Sequence, residues 1–502
     1  MEFFVEALRN VLNPAVMLNM ILGTAMGICI GALPGLTATM GVALLLPLTF
    51  GMEATDGILM LLGIYCGAIY GGSISAVLLH TPGTPASAAT AIDGYAMAKK
   101  GQGGRALGIV TVSSYIGGLI SVLCLILISP QLAKLALKFS SAEYFLLALF
   151  GLCIIGNISG KSLAKGMICG CVGVLVATVG VDSVTAFLRF ATFRGQAVVN
   201  LLGGISYIPV MIGLFAMSQA FEGIEEIFKR DTIEAKISKV LPSKSDMKVI
   251  GRVAPITGLI GTFIGIIPGA GADIGAFVGY DVARSLSKHP EEFGTGCPDA
   301  ISGPEAGNNG VTGGAMIPML TLGVPGDAVT AILIGALTVK GLNPGPMLFT
   351  NHKALVYSIF IGMFFANTLV FLMGLSGIKL FSQVLKVPKA ILTPIIFVLC
   401  VIGSYAMNNN LFDVGVMLVF GIIGYFFTKV KIPTSPAILG LILGPMAEKN
   451  FRTALLKSGG KLNVFFNTPI CWFFLVLIIF ALFGTPIRNM IKARMLARKG
   501  TK

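Results

Sequence analysis

Charge is what this sequence has least of. Only 12% of its 502 residues are Asp, Glu, Lys or Arg, and it holds three histidines and one tryptophan. A soluble enzyme of this length needs a polar surface that this composition does not supply. With 55% hydrophobic residues and a mean hydropathy of +0.89, the medium facing the chain is lipid. Catalytic signatures are also missing: there is no H-E-x-x-H, no G-x-S-x-G and no Walker A motif. Gly269 to Gly275 reads G-x-G-x-x-x-G and follows no βαβ pattern, so it is no dinucleotide fingerprint. His80 and Ser75 are the nearest approach to a nucleophile–base pair, and nothing supports an intramembrane enzyme. No cofactor and no metal are expected. Nine cysteines fall mostly within apolar runs, and the Cys169-x-Cys171 pair has no accompanying His or second pair, so they read as small core residues. The start lacks a basic n-region and an A-x-A-like site, so no cleavable signal peptide is expected. The net charge of +14 sits mainly in short loops and at the C-terminus, as membrane topology requires, and implies no nucleic-acid partner.

What is present is a series of apolar runs broken by Pro and Gly. Spans are expected near Ala15–Leu33, Gly57–Leu79, Ala106–Ile128, Ala142–Ile158, Leu163–Val179, Leu201–Ser218, Val253–Ile267, Ala354–Gly374, Ile391–Met407, Val414–Thr428 and Thr468–Phe483. That predicts an all-α polytopic membrane protein of about 10–12 segments. Val181–Asn200, where Arg189 stands among Phe187, Leu188 and Phe190, is expected to form an interfacial helix. The basic tail from Arg488 to Lys502 predicts a cytoplasmic C-terminus. One break stands out. Thr81-Pro82-Gly83-Thr84-Pro85 cannot continue a helix, and unpaired backbone is tolerated at membrane depth only inside protein or along a wet cavity.

The break has a second copy. Thr81–Ile92 aligns with Thr321–Ile332 at an offset of 240, through to Lys100-Gly101 and Lys340-Gly341. Upstream, Gly31-x-x-Pro34-Gly35 matches Gly265-x-x-Pro268-Gly269, and downstream Leu152–Gly156 resembles Leu399–Gly403. The predicted organisation is a first repeat over 1–221, a charged exposed linker over 222–252 and a second repeat over 253–502. Paired broken segments in corresponding halves point to a secondary transporter with a site between repeats, and the repeats are expected to be inverted. A passive solute or ion channel with re-entrant loops is the alternative.

Ser73, Ser75, Thr81, Gly83, Thr84 and Pro85 in the first copy, with Thr321, Gly323, Pro325 and Gly326 in the second, are the candidate substrate-binding positions. Pro304-Glu305-Ala-Gly-Asn308-Asn309 adds to them: in a helix Glu305, Asn308 and Asn309 share one face, with Pro304 suited to the first turn. Asn308 and Asn309 are assigned to substrate. Glu305, Asp273, Asp327, Pro34, Gly35, Thr37, Pro268 and Gly269 are the ion-binding candidates, since intramembrane acids and freed carbonyls are functional by default. Asp93 is expected to face water, and His80 to be a packed neutral histidine. Basic side chains are nearly absent from the apolar interior. An anion would have to be held by backbone N–H groups, hydroxyls, amides and bound cations, which suits a sodium- or proton-coupled carboxylate carrier.

These motifs resemble the large membrane subunit of tripartite tricarboxylate transporters, the TctA family. The likeness rests on Gly31-Ala-Leu-Pro-Gly-Leu-Thr, Tyr70-Gly-Gly-Ser, Thr81-Pro-Gly-Thr-Pro, Asp93-Gly-Tyr-Ala-Met-Ala-Lys-Lys-Gly, Pro268-Gly-Ala-Gly, Pro304-Glu305-Ala-Gly-Asn308-Asn309, Leu320-Thr-Leu-Gly-Val-Pro-Gly326 and Gly341-Leu-Asn-Pro-Gly-Pro346. The resemblance implies a multi-pass protein of the bacterial inner membrane, partnered by a small membrane subunit and a periplasmic solute-binding protein. It implies ion-driven carboxylate uptake, citrate-like and coupled to Na+, without ATP hydrolysis. His80, Asp273 and Asp327 depart from the family pattern, and extra acids beside the break disfavour a polycarboxylate such as citrate.

Overall fold

The architecture is taken from a computed structural model, which describes residues 2–158, 163–182, 185–194, 196–225 and 240–482. The chain is 80% helical, an all-α polytopic membrane protein. Among the described residues, eight helices are long and apolar enough to cross a membrane, with shorter apolar helices beside them. The helices used below are α1 (Pro14–Ala32), α2 (Ala54–Leu79), α3 (Ala88–Lys99), α4 (Gly103–Ala136), α5 (Ser141–Ile158), α6 (Leu163–Ala177), α7 (Lys244–Ile266), α8 (Gly271–Leu286), α9 (Pro298–Leu322), α10 (Ala328–Val339), α11 (Lys353–Ser376), α12 (Lys389–Asn408), α13 (Leu411–Lys429) and α14 (Ser435–Lys457).

The chain divides into two compact units, Met1–Leu137 with Ile208–Tyr425, and Lys138–Tyr207 with Phe426–Lys502. In the larger unit α2 and α9 are buried around their whole circumference, so neither has an amphipathic stripe. Helix α2 packs chiefly on α1, and α9 packs on α7, α4 and α8. Both crossings bring backbone against backbone through glycine. A Cβ on Gly27 would stand 2.4 Å from the carbonyl oxygen of Ile64, and one on Gly261 2.0 Å from that of Gly307. The same holds for Gly31 against Ala68 and Gly265 against Val311. Small residues four apart allow this approach where no hydrophobic force drives helices together.

The smaller unit packs α14 on α5 and α6. After α6, the described residues between Val181 and Val198 do not form the expected interfacial helix. They form two antiparallel hairpins, Gly180–Val181 with Leu188–Arg189 and Thr192–Phe193 with Gln196–Ala197. Left-handed residues at Ala186, Phe190 and Arg194 interrupt helical geometry, and β-branched and aromatic side chains favour the extended segments between them.

Two further boundaries differ from expectation. Helix α7 opens at Lys244, inside the stretch read as linker, because Ser243 and Asp246 close a reciprocal cap there. Asp246 is buried and accepts from Nη2 and Nε of the Arg105 guanidinium at 2.6 and 2.8 Å, a bidentate pairing, and Arg252 pairs with Asp299. Residues 226–239 of the linker and the basic tail lie outside the described residues. The polar stretch before Thr312 is also helical: α9 runs unbroken from Pro298, so Pro298 takes the first helical turn and Pro304 lies inside. Pro304 cannot donate to the preceding turn, a defect tolerated because neighbouring helices enclose α9 completely.

Replacing Gly27 or Gly261 by Ala is expected to destabilise the protein by about 1–3 kcal/mol, since the clash is with backbone that cannot swing away. Gly415→Ala, with nothing within 4 Å, should leave the thermal midpoint in detergent unchanged or raised.

Candidate functional site

The two breaks follow α2 and α9. Helix α2 ends on His80 and α9 on Gly323, both left-handed. The residues after them take matching roles: Gly83 lies against the carbonyl of Gly31 and the Cα of Gly72, and Gly326 against the carbonyl of Gly265 and the Cα of Ala315. Thr84 and Asp327 are then the N-caps of the next helical turns. The geometric pairing is thus Pro82 with Pro325 and Thr84 with Asp327, an offset of 243, three residues beyond the Thr81–Thr321 alignment. The cause is where each proline falls. Pro82 stops α2 two residues after His80, whereas Pro325 lets α9 run on to Leu322, so Thr321 is still helical and bonds back to Ile317.

Bonds between the halves come in reciprocal pairs. From α2, Tyr65 donates to Asp327 Oδ2 at 2.6 Å; from the matching turn of α9, Asn308 Nδ2 donates to the Ala86 carbonyl at 3.3 Å. Past α10, Lys340 Nζ binds the Met52 carbonyl at 2.5 Å and that of Phe50 at 2.8 Å; past α3, Lys100 Nζ binds the Thr295 carbonyl at 2.7 Å. Met52 and Thr295 are also 243 apart.

The core of the site is Glu305. It is fully buried, and its carboxyl group accepts from Ser73 Oγ at 2.5 Å, Thr90 Oγ1 at 2.5 Å and Ser114 Oγ at 2.9 Å. Helices α2, α3, α4 and α9 each supply one member. No Lys or Arg occurs in 54–98 or 298–339. One turn on, Asn309 Nδ2 donates to Asn308 Oδ1 at 2.6 Å and to the Glu305 carbonyl at 3.0 Å. The expected common face of Glu305, Asn308 and Asn309 is therefore present and inward.

The breaks themselves are unequal. Asp327 is saturated, taking Tyr65 on one oxygen and the amide and hydroxyl of Thr330 on the other, each at 2.8 Å. These bonds are those of a helix cap, which accounts for a buried carboxylate here. Thr84 has its backbone engaged by Ser87; its own hydroxyl is buried, stands in capping-box position toward the Ser87 amide, and makes no hydrogen bond of good geometry among the described residues. A buried hydroxyl left unpaired costs about 1–3 kcal/mol.

Other candidates scatter. Ser75 bonds the Gly72 carbonyl, Thr81 is exposed and bonds that of Leu79, and Pro85 is exposed. Thr37 caps the short helix Ala38–Leu45 beyond the Pro34-Gly35 turn. Pro268 and Gly269 are buried, and the Gly269 amide donates to the Gly326 carbonyl at 2.6 Å, tying the second half's two breaks together. Asp273 is exposed in the first turn of α8, where the helix dipole favours an acid. His80 is exposed, its ring stacked on Tyr95 at 4.7 Å. Asp93 does not face water. It is fully buried and accepts from the amides of Gly294, Gly296 and Cys297 and from the Tyr280 hydroxyl. Gly294 and Gly296 adopt φ of +91° and +105°, which turns their amides onto one acceptor. Thr90, Ser114 and Tyr65 escape notice in the sequence. The Ser113-Ser114 pair inside an apolar run is the one visible signal.

Comparison with known proteins decides the family. The sequence description "Tripartite tricarboxylate transporter TctA family" matches residues 17–439. The chain belongs to the TctA family. A 52.8 kDa uncharacterised protein of Agrobacterium vitis, from the TAR-I ttuC' 3' region, is 37% identical over 463 residues, covering 92% of this chain and 91% of that one. A second uncharacterised protein from the same organism, in the TAR-II ttuC' 3' region, is 39% identical over 210 residues, 42% of this chain and 87% of that one. No solved structure matches. Family membership makes this TctA chain a multi-pass component of a tripartite transporter, with transport rather than catalysis as its role, and implies a small membrane subunit and a periplasmic binding protein as partners.

Asp93→Ala should strand several amide donors. We expect a loss of about 3 kcal/mol, read as a lower melting midpoint and faster proteolysis within 287–297. Asp93→Asn should recover part of it, because the amide oxygen still accepts.

Proposed function

We propose that this TctA chain is the permease of a carboxylate uptake system, driven by an ion gradient and supplied by the periplasmic binding protein. The observation that carries the reading is the pair of unequal breaks cross-bonded between halves, with the Thr84 hydroxyl unpaired beside the Asn308 contact. The substrate carboxylate accepts from Thr84 and from backbone N–H groups of the first break. The second break, already saturated at Asp327, acts as a fixed counterpart.

Charge supports coupling to a cation. An anion entering a site with the carboxyl groups of Glu305 and Asp327, and no basic side chain in 54–98 or 298–339, needs positive charge brought with it. We assign Na+ to that role and the Glu305 cluster to its neighbourhood. The reciprocal bonds support reading 1–221 and 253–502 as repeats about a pseudo-two-fold axis. We place that axis in the membrane plane, with the protein in the bacterial inner membrane and its C-terminus cytoplasmic.

Proteoliposomes holding the complete transporter and its binding protein test this. Thr84→Val should lower carboxylate uptake about 10-fold or more while leaving the melting midpoint in place or raising it. An imposed Na+ gradient should drive accumulation. Accumulation under a proton gradient alone would overturn the ion assignment, and passive equilibration without a gradient would favour a channel. Single cysteines at Lys99 and Asn343, exposed at the ends of α3 and α10, should label from opposite membrane faces; labelling from one face would exclude inversion.

A further inference from the structure

The smaller unit holds a cavity of about 270 Å³ that the transport reading does not use. Its walls include Asp182, Arg189, Tyr207, Glu448, Lys449 and Arg452. Four of these charges form a closed network. Arg189 Nη1 binds Glu448 at 2.6 Å and lies 3.5 Å from Asp182; Arg452 Nη1 binds Asp182 at 2.6 Å, and its Nε lies 3.4 Å from Glu448. Each acid is thus held between two guanidinium groups, and the two acids balance the two arginines. Lys449 then leaves the cavity with one net positive charge. It is exposed, and its ammonium group makes no hydrogen bond or ion pair among the described residues, though its carbonyl accepts from Thr453.

Donors remain after the pairing. Each guanidinium carries five N–H groups in a fixed fork, and the network uses few of them. Arg189 Nε is buried and has no acceptor among the described residues. An orphaned donor of that kind in a native structure calls for a missing water or ion. The arrangement is a rigid, donor-rich, net-positive cavity, which matches a phosphate group in charge and in geometry.

The surroundings indicate what carries that phosphate. Phe187 and Phe190 bracket Arg189 on the hairpins and are 70% and 73% exposed, and Val181, which lines the cavity, is also exposed. In a multi-pass chain, exposed aromatic rings beside basic groups belong at headgroup depth. The volume lies below the roughly 300–1,000 Å³ of sites for drug-sized ligands, so it suits a headgroup fragment with the rest of the molecule outside. We propose that this cavity binds the phosphate of an anionic phospholipid at the bilayer surface.

The test uses the full chain, delipidated in neutral detergent, and thermal melting with four additives: dihexanoyl phosphatidylglycerol, dihexanoyl phosphatidylcholine, glycerol 3-phosphate and inorganic phosphate. Saturating short-chain phosphatidylglycerol should raise the midpoint by about 3–5 °C, and phosphatidylcholine should not. Lys449→Gln, at an exposed helix position, should weaken the response about 10-fold in concentration without lowering the unliganded midpoint. Arg189→Gln, which leaves Asp182 held by Arg452, should do the same or more. Equal shifts with inorganic phosphate would support phosphate recognition and overturn lipid as its source. Equal responses to both lipids, or an unchanged response in both variants, would overturn the site. Loss of the small membrane subunit from the purified Lys449→Gln complex, with the lipid response intact, would overturn it in favour of a protein partner.

Discussion

The structure depends on the approach of backbone to backbone along two helix crossings. Where α1 meets α2 and α7 meets α9, glycines let carbonyl groups lie where side chains would otherwise stand. Lipid offers no hydrophobic force to bring these helices together, so packing area and close approach must do it. The consequence is that α2 and α9 are enclosed on every side. Enclosure is what allows a helix with two internal prolines, a glutamate and two asparagines to exist in the core of a multi-pass membrane protein. It is also what places the polar groups of α9 within hydrogen-bond reach of α2, α3 and α4.

Once enclosed, every polar group must find a partner, and the pattern of partners is informative. Glu305 is met by three hydroxyls from three helices, Asp93 by three amides and a phenol, and Asp327 by a tyrosine and a cap. These carboxylates stitch the halves of the larger unit to each other. Against that background an unpaired Thr84 hydroxyl is conspicuous, because its geometric counterpart Asp327 is saturated. For the transport function proposed above, two matching breaks finished differently suit one fixed wall and one binding wall better than two equivalent jaws.

Much of this was legible in the residues. Pro and Gly clusters mark both breaks, the all-α class follows from composition, the shared helix face of Glu305, Asn308 and Asn309 follows from their spacing, and the family is carried by the resemblance of the motifs. Register was not legible. Thr81 and Thr321 align by identity, yet a helix ends where its proline and its left-handed residue allow, and those differ by three positions between halves. The extent of α9 was hidden because its polarity resembles a loop; only burial by neighbours distant in sequence makes it helical. The hairpins of 180–197 were misread as a helix, since a cluster of aromatic residues around one arginine fits either form over so short a stretch. Tyr65, Thr90 and Ser114 gave little sign, because a single hydroxyl in an apolar run has no periodicity.

The reciprocal bonds bear on how such a molecule moves. Tyr65 to Asp327 and Asn308 to Ala86 each join a central helix of one half to the break of the other, and Lys340 and Lys100, at the outer ends of α10 and α3, bind the segments that lead into α2 and α9 of the opposite half. A motion that slid one half past the other would break both members of a pair together and strand buried partners. A motion that exchanged the environments of the two breaks, while keeping α2 and α9 in register, would preserve them. The weaker member is the 3.3 Å contact of Asn308 with Ala86, beside the unpaired Thr84, against 2.6 Å for Tyr65 with Asp327. Under the proposed transport function, the first break is therefore the joint a ligand would open most readily. That is the place where a ligand carboxylate would replace a poor bond with a good one, so binding and release would act on the same joint.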